Sequence, residues 1–310
     1  MRRLLFKLGL LLLLLMIVDV FCAPIFNYLQ KNAIGGSTQK NYYINKECES
    51  DIIILGSSRA SHHYVPSVIA DLTGYSCYNC GEEGNGIILA FARYQMLVQR
   101  YNPKVIIYEI TPEYDLKQDL DNSKYLRYLK PYYGEEPIKK VVQLFTEKKT
   151  QFELESNLYR NNSAIIANII DNIIDRGAYN GYEPLFGQCS QMPANLKINN
   201  SVPFVVDEMK VALMDSLAID AHNRGVLLIF AMSPTLANTN TNTYNKALFI
   251  SNKYHIPFLN YLSCKDIISD ISLFQDEGHM NDKGAMKYSE IISHEIKSMM
   301  KQVNDEYRVY

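Results

Sequence analysis

Tryptophan is absent from this chain of 310 residues, and the charges almost cancel, leaving a formal net charge of −2. Proteins that bind nucleic acid usually carry a basic excess, so no nucleic-acid partner is predicted. The six cysteines and six histidines include no two neighbouring pairs with the spacing of a zinc site. We therefore predict no metal and no cofactor.

The cysteines show one short spacing, between Cys77 and Cys80, that occurs in redox and zinc motifs. On a strand, residues three apart point to opposite faces, so both side chains are predicted to pack on the second strand. Cys48, Cys189 and Cys264 stay open as disulfide partners, because spacing alone does not pair them.

Hydrophobic residues make up 47% of the chain, which is enough for a sizeable core. They alternate between short apolar runs, typical of strands, and apolar repeats at helical spacing. A run rich in β-branched residues predicts a buried strand at 51–55, a third buried strand is predicted at 104–110, and further strands are predicted at 75–80, 225–232 and 256–260. Apolar residues at helical spacing predict helices at 60–72, 88–101, 204–224, 244–254 and 284–300. This order predicts a three-layer α/β/α fold with a five-stranded parallel sheet.

The N-terminus starts with two arginines and continues into an apolar run from Leu8 to Val18. This pattern is typical of a signal peptide or a membrane anchor. No small-residue cleavage site follows, which favours an uncleaved anchor over residues 1–22 with its positive end in the cytoplasm. A cleaved signal and a buried soluble helix are the alternatives. Either export interpretation places the following domain outside the cytoplasm, in the periplasm or at the cell surface.

Three further segments are predicted: a polar linker over 23–50, the α/β domain over 51–301, and a tail over 302–310. Residues from about 116 to 203 interrupt the alternation and predict a helical insertion at the carboxyl end of the sheet. We interpret this insertion as a lid or substrate platform, with a peripheral decoration as the alternative.

A serine pair follows the first predicted strand, where Gly56 permits a tight turn into Ser57 and Ser58. The carboxyl ends of parallel strands form the ligand crevice of open α/β sheets. A serine at the start of the next helix is close to backbone N–H groups, which suits a nucleophile whose reaction builds an oxyanion. The alternative is an ordinary N-cap serine.

At the other end of the chain, Asp276 and His279 are three residues apart, just before the last predicted helix. Within one short loop, this spacing lets the carboxylate bind Nδ1 of the imidazole, which leaves Nε2 free for a hydroxyl. Ser58, His279 and Asp276 are therefore candidates for nucleophile, base and orienting carboxylate.

These motifs resemble those of SGNH/GDSL-type hydrolases, in a divergent branch that has Gly-Ser-Ser-Arg in the first block. The resemblance covers roughly residues 51–301, with a gap in the middle. It implies the flavodoxin-like fold of that family, Ser58 as the nucleophile, and Asp276 and His279 as its partners. Gly84, five residues after Asn79, matches the oxyanion-hole glycine of the second block.

The third block departs from the family, because Glu113 falls near the position of the usual asparagine donor. We therefore expect a two-donor oxyanion hole made by the backbone N–H groups of Ser58 and Gly84. Arg59, Asn85 and Glu113 are predicted substrate contacts.

Two other histidines, His62 and His63, follow Ser58 by one turn. They could contact substrate or act as an alternative base. The simpler expectation is that one is exposed and the other packs on the helix face.

The resemblance implies an extracytoplasmic serine esterase or O-acyltransferase that acts on acyl esters, chiefly acetyl, of a glycan. It also implies a membrane-bound O-acyltransferase as partner. The alternative is a catalytically weak SGNH-like subunit that binds glycan or serves as a scaffold in a membrane complex.

Overall fold

The computed structural model describes residues 1–175, 177, 179–191, 204–237 and 239–307. The chain divides into two compact units. Unit 1 contains Met1–Glu47 and Asp121–Ala178, and unit 2 contains Cys48–Leu120 and Tyr179–Tyr310.

The helices and strands are numbered separately in chain order. The α-helices are α1 (Arg2–Lys31), α2 (Gly36–Lys46), α3 (Ser58–His63), α4 (Pro66–Thr73), α5 (Ile87–Val98), α6 (Pro112–Asp115), α7 (Glu136–Leu144), α8 (Lys148–Glu153), α9 (Asn157–Asn161), α10 (Ile165–Ile170), α11 (Glu208–Asn223), α12 (Asn245–Tyr254), α13 (Lys265–Ile268) and α14 (Asp282–Tyr307). The strands are β1 (Ile52–Gly56), β2 (Cys77–Asn79), β3 (Val105–Glu109), β4 (Leu227–Met232) and β5 (Phe258–Asn260).

Unit 2 is built on the five-stranded parallel sheet that the sequence predicts. The strand order is β2-β1-β3-β4-β5, and every neighbouring pair is parallel. Helices α3, α4 and α14 pack together on one side of the sheet, and α5, α11 and α12 form the other layer. The predicted three-layer α/β/α fold is confirmed.

Alternate residues of the strands enter the two layers, as the period of a strand requires. Ile54 and Ile107 are fully buried and join one core cluster with Ile292 and Ile296 of α14. On the opposite face, the rings of Tyr108 and Phe230 pack edge to face, with centroids 6.1 Å apart. Both faces of the central strands are apolar because helices cover both.

The predicted helix after β1 is interrupted in the structure. Its first part, α3, ends at His63, and α4 begins at Pro66. Proline disfavours helical backbone in the residue before it and lacks the N–H of a helix interior, so the break occurs at Val65. The interruption leaves α3 as a short helix directly after β1.

Unit 1 brings together the N-terminal segment and most of the predicted insertion; residues 192–203 of that insertion lie outside the described residues. Residues predicted as a linker instead form the end of α1 and the whole of α2. Polar contacts explain this: Thr38 donates its backbone N–H to Asp171 at 3.0 Å and its hydroxyl to Asn168 at 3.1 Å. A polar segment can pack when its polar groups find buried partners.

Helix α10 shows an arrangement opposite to that of a usual surface helix. Asn168 and the C-cap residue Asp171 are buried, whereas Ile166, Ile169 and, in the turn after the helix, Ile173 are exposed. Their spacing of three and four residues places the isoleucines along one helical face. The exposed isoleucines therefore mark the outer face of this helix.

Helix α1 is long and apolar enough to cross a membrane, with a mean hydropathy of 2.6 over its most apolar window and none of that window buried. Its apolar run ends at Asp19, whose carboxylate accepts hydrogen bonds from Ser156 Oγ and from the backbone N–H groups of Asn157 and Leu158. Asp19 therefore caps the start of α9 within unit 1.

Candidate active site

Ser58 is positioned by the turn that ends β1. Gly56 adopts φ +137°, and a Cβ on it would lie 2.5 Å from the backbone oxygen of Glu109. Only glycine tolerates both the positive φ and this approach of the neighbouring strand. The chain then turns through Ser57, the N-cap, and Ser58 becomes the first residue of α3. Its backbone N–H lies among those without an intrahelical acceptor.

His279 lies in a short loop before α14 and reaches Ser58, 221 positions away in the chain. The distance from His279 Nε2 to Ser58 Oγ is 2.8 Å. On its other side, His279 Nδ1 lies 3.0 Å from Asp276 Oδ1 and 3.1 Å from Oδ2. A carboxylate only accepts hydrogen bonds, so Nδ1 carries the ring proton and Nε2 accepts from the serine hydroxyl.

Asp276 is held in place by its own loop. One carboxylate oxygen accepts the backbone N–H groups of Gly278 at 2.8 Å and His279 at 2.9 Å. The Asp276 side chain is 55% exposed, whereas that of His279 is 29% exposed. The three predicted residues therefore form one serine–imidazole–carboxylate chain that opens to solvent on the carboxylate side.

The loop after β2, which carries Gly84, is anchored beside the end of β1. The backbone N–H of Glu82 donates to Gly56 O at 3.1 Å, two residues before Ser58. Gly81 packs so closely on α3 that a Cβ would lie 2.6 Å from the Ser61 nitrogen. Gly84 has φ +67°, and the space around its Cβ position is open.

The three predicted substrate contacts differ in what their side chains do. Arg59 is buried: its guanidinium donates to Ile110 O at 2.5 Å and Tyr244 Oη at 3.1 Å, and its Nε lies 3.3 Å from Glu109. Asn85 is buried and donates to the backbone of its own loop. Glu113, by contrast, is exposed.

Glu109 is the polar centre that sequence analysis missed. It ends β3, is fully buried, and accepts hydrogen bonds from Tyr64 Oη at 2.5 Å and from Ser233 Oγ at 2.8 Å. Burial lowers the pKa of the Arg59 guanidinium, but Glu109, Tyr244 and Tyr64 together more than offset burial and raise that pKa above its usual value. Burial and then Glu109 also raise the pKa of Tyr64. The only sequence signal was a charged residue closing an apolar run.

His62 and His63 are both buried, contrary to the expectation that one is exposed. Each ring lies edge to face against His279, with centroids 5.7 Å and 6.1 Å away. Burial lowers the pKa of both histidines, and that of His63 falls well below 6.5, because Arg59 and His279 add to the effect. His62 Nδ1 lies 2.6 Å from Glu183 O.

None of the six cysteines, all of which lie in the described part of the chain, forms a disulfide. Cys77 and Cys80 are buried on and just after β2, as the packing interpretation expected. Comparison with known protein families finds no family model that matches the chain, and comparison with curated proteins finds no significant match.

Proposed function

We propose that this protein is a serine esterase or O-acyltransferase that acts through Ser58, His279 and Asp276. One observation carries the proposal: His279 Nε2 lies 2.8 Å from Ser58 Oγ while Nδ1 faces the Asp276 carboxylate. A nucleophile, a base and a group that orients the base within hydrogen-bond reach are the signature of nucleophilic acyl transfer.

The reaction would proceed in two half-reactions. His279 takes the hydroxyl proton as Ser58 Oγ attacks the ester carbonyl, and then returns it to the departing alkoxide, which leaves an acyl-serine. In the second half, His279 takes a proton from water or from an acceptor hydroxyl, which attacks the acyl-serine. His279 then returns that proton to Ser58 Oγ as the new acid or ester departs. The Asp276 carboxylate stabilises the imidazolium that forms in each half.

The oxyanion of each tetrahedral intermediate would be stabilised by the backbone N–H groups of Ser58 and Gly84. Support comes from the position of Ser58 at the start of α3 and from the anchoring of the Gly84 loop at Gly56. Loss of one oxyanion donor typically costs on the order of 10²–10³ in rate. A two-donor hole therefore predicts slow hydrolysis of simple esters.

The substrate class follows from the SGNH resemblance and the apolar N-terminus together. We assign acyl esters of an extracytoplasmic glycan, chiefly acetyl esters, with α1 as the anchor and the catalytic unit outside the cytoplasm. Arginines at positions 2 and 3 before the apolar run favour this orientation. A membrane-bound O-acyltransferase is the proposed partner.

A second candidate function is a catalytically weak subunit that binds glycan. Glu113, in place of the usual asparagine of the third block, favours this candidate because a carboxylate cannot donate to an oxyanion.

A fluorophosphonate probe separates the two candidates. If the chain is a serine hydrolase, the detergent-solubilised full-length protein labels at Ser58, and the label disappears in Ser58→Ala but persists in Ser57→Ala. Acetyl-ester turnover with and without candidate glycan acceptors then distinguishes hydrolysis from transfer. Absence of labelling in the wild-type chain favours the binding subunit.

A further inference from the structure

A buried chain of hydrogen bonds leads from Glu109 to the loop that carries His279. Ser233 Oγ lies 2.8 Å from Glu109 Oε1 and 2.7 Å from His63 Nδ1. The other ring nitrogen, His63 Nε2, accepts the backbone N–H of Met280 at 3.0 Å. Glu109, Ser233 and His63 are fully buried. The chain therefore links the ends of β3 and β4, through α3, to the residue next to His279.

The direction of these hydrogen bonds follows from their ends. A backbone amide only donates, so His63 Nε2 must be unprotonated. Nδ1 then carries the proton and donates to Ser233 Oγ, and the Ser233 hydroxyl in turn donates to the Glu109 carboxylate. In this arrangement each group between Glu109 and Met280 has its hydrogen-bond partner, and His63 is neutral.

The groups around His63 keep it neutral. Arg59 and His62 face it from its own helix, and His279 faces it from the loop; the negative charge of Glu109 is separated from it by Ser233. Burial first, and then the charge of Arg59, hold the pKa of His63 well below 6.5. Near pH 7 the ring therefore keeps the free acceptor that Met280 needs.

We propose that His63 is a positioning residue: it binds the Met280 amide and thereby holds the adjacent His279 within reach of Ser58 Oγ. This inference rests on the proposed function, because the position of His279 affects turnover only if Ser58 is the nucleophile. A displacement of about 1 Å at a reacting group can cost about 10²-fold in rate. The position of His279 relative to Ser58 therefore depends on the contacts that hold its loop.

Two amide substitutions, each matching the position of one ring nitrogen, separate the two sides of the ring. In His63→Gln, the amide oxygen occupies the region of Nε2 and can still accept from Met280. In His63→Asn, the shorter side chain occupies the region of Nδ1, so it can reach Ser233 but leaves the Met280 amide unpaired. His222→Asn, on an exposed part of α11, is the matched control for the substitution itself.

The experiment measures two quantities on the full-length protein: the rate of fluorophosphonate labelling and the hydrogen exchange of the Met280 amide. We expect His63→Asn to slow labelling about 10- to 100-fold and to speed Met280 exchange about tenfold, the loss of about one hydrogen bond. His63→Gln should stay within about threefold of the wild type in both, which is less than the loss of one such bond.

Two results would overturn the proposal: labelling of His63→Asn at the wild-type rate, or a His63→Gln variant as slow as His63→Asn. The amide-exchange measurement does not depend on turnover. If the wild-type chain fails to label while Met280 exchange follows the expected order, the proposed function fails and the contact between His63 and the loop stands.

Discussion

Units 1 and 2 differ in which side chains they bury. In unit 2 the sheet is covered on both faces by aliphatic and aromatic side chains, and one buried polar network forms around Glu109 at the carboxyl ends of the strands. In unit 1 the contact between α2 and α10 is made by Thr38, Asn168 and Asp171, while isoleucines of α10 face outward.

The difference shows two ways of holding a fold. The burial of apolar side chains stabilises the folded state and does not depend on the orientation or identity of the neighbouring apolar groups. A buried polar group, by contrast, destabilises the fold unless it finds a hydrogen-bond partner. Unit 2 uses apolar burial for stability and its polar network to position residues at the candidate site. Unit 1 also buries apolar side chains, such as Leu126 and Ile138, but its contact between α2 and α10 depends on individual hydrogen bonds.

The largest expected effect is a loss of ester turnover, which tests whether unit 2 is catalytic. Ser58→Ala should reduce ester turnover by about 10⁴-fold or more, because it removes the nucleophile of a triad that acts as a unit. For the same reason, Ser58→Ala combined with His279→Ala should cost little more than the worse single change. Steady-state turnover of an acetyl ester measures both. Loss of turnover in Ser57→Ala with Ser58→Ala unaffected would show that the nucleophile is misassigned.

The next effect concerns the apolar core of unit 2. Ile107→Ala should lower the free energy of unfolding by about 2–5 kcal/mol, because it leaves a cavity beneath α14 in a well-packed interior. Urea titration of the detergent-solubilised protein measures the change. Ile219→Ala, at a partly exposed position of α11, is the control and should change stability by less than about 0.5 kcal/mol. Equal losses at the two positions would contradict the described packing.

A smaller effect is expected in the polar interior of unit 1. Asp171→Ala should cost about 1–3 kcal/mol, because the buried backbone N–H of Thr38 loses its acceptor. Asp175→Ala, an exposed neighbour on the same segment, supplies the control. The same urea titration applies, with amide exchange at Thr38 as a local measurement. Unchanged exchange at Thr38 would argue against the polar contact between α2 and α10.

The smallest effect is expected at the exposed isoleucines of α10 and of the turn that follows it. Ile166→Gln and Ile173→Gln should each change the unfolding free energy by less than about 0.5 kcal/mol, because both side chains are more than 70% exposed. Ile138→Ala, at a fully buried position of α7, should cost about 2–5 kcal/mol in the same titration. A loss above about 1 kcal/mol at Ile166 or Ile173 would show that the isoleucines pack against protein.

Much of unit 2 could be predicted because its information is local. The central strands are short apolar runs, and several helices repeat their apolar residues, so the element order and the fold class follow from local pattern. The triad candidates were also local signals: a Gly-Ser-Ser turn after a strand and an Asp-x-x-His loop before a helix. Unit 1 was less predictable, because a polar segment such as 23–50 folds only when distant partners satisfy its polar groups.

By itself, the sequence determined the α/β class, the helix and strand order, the apolar N-terminus and the residue types of the candidate triad. Only the tertiary structure decided that His279 meets Ser58, that Arg59 is buried against Glu109 rather than facing the crevice, and that His63 binds the loop at Met280. The physical reason is that periodicity is set by backbone geometry within a few residues, whereas a hydrogen bond needs two atoms within about 3 Å. Folding brings such atoms together from positions as far apart as 58 and 279.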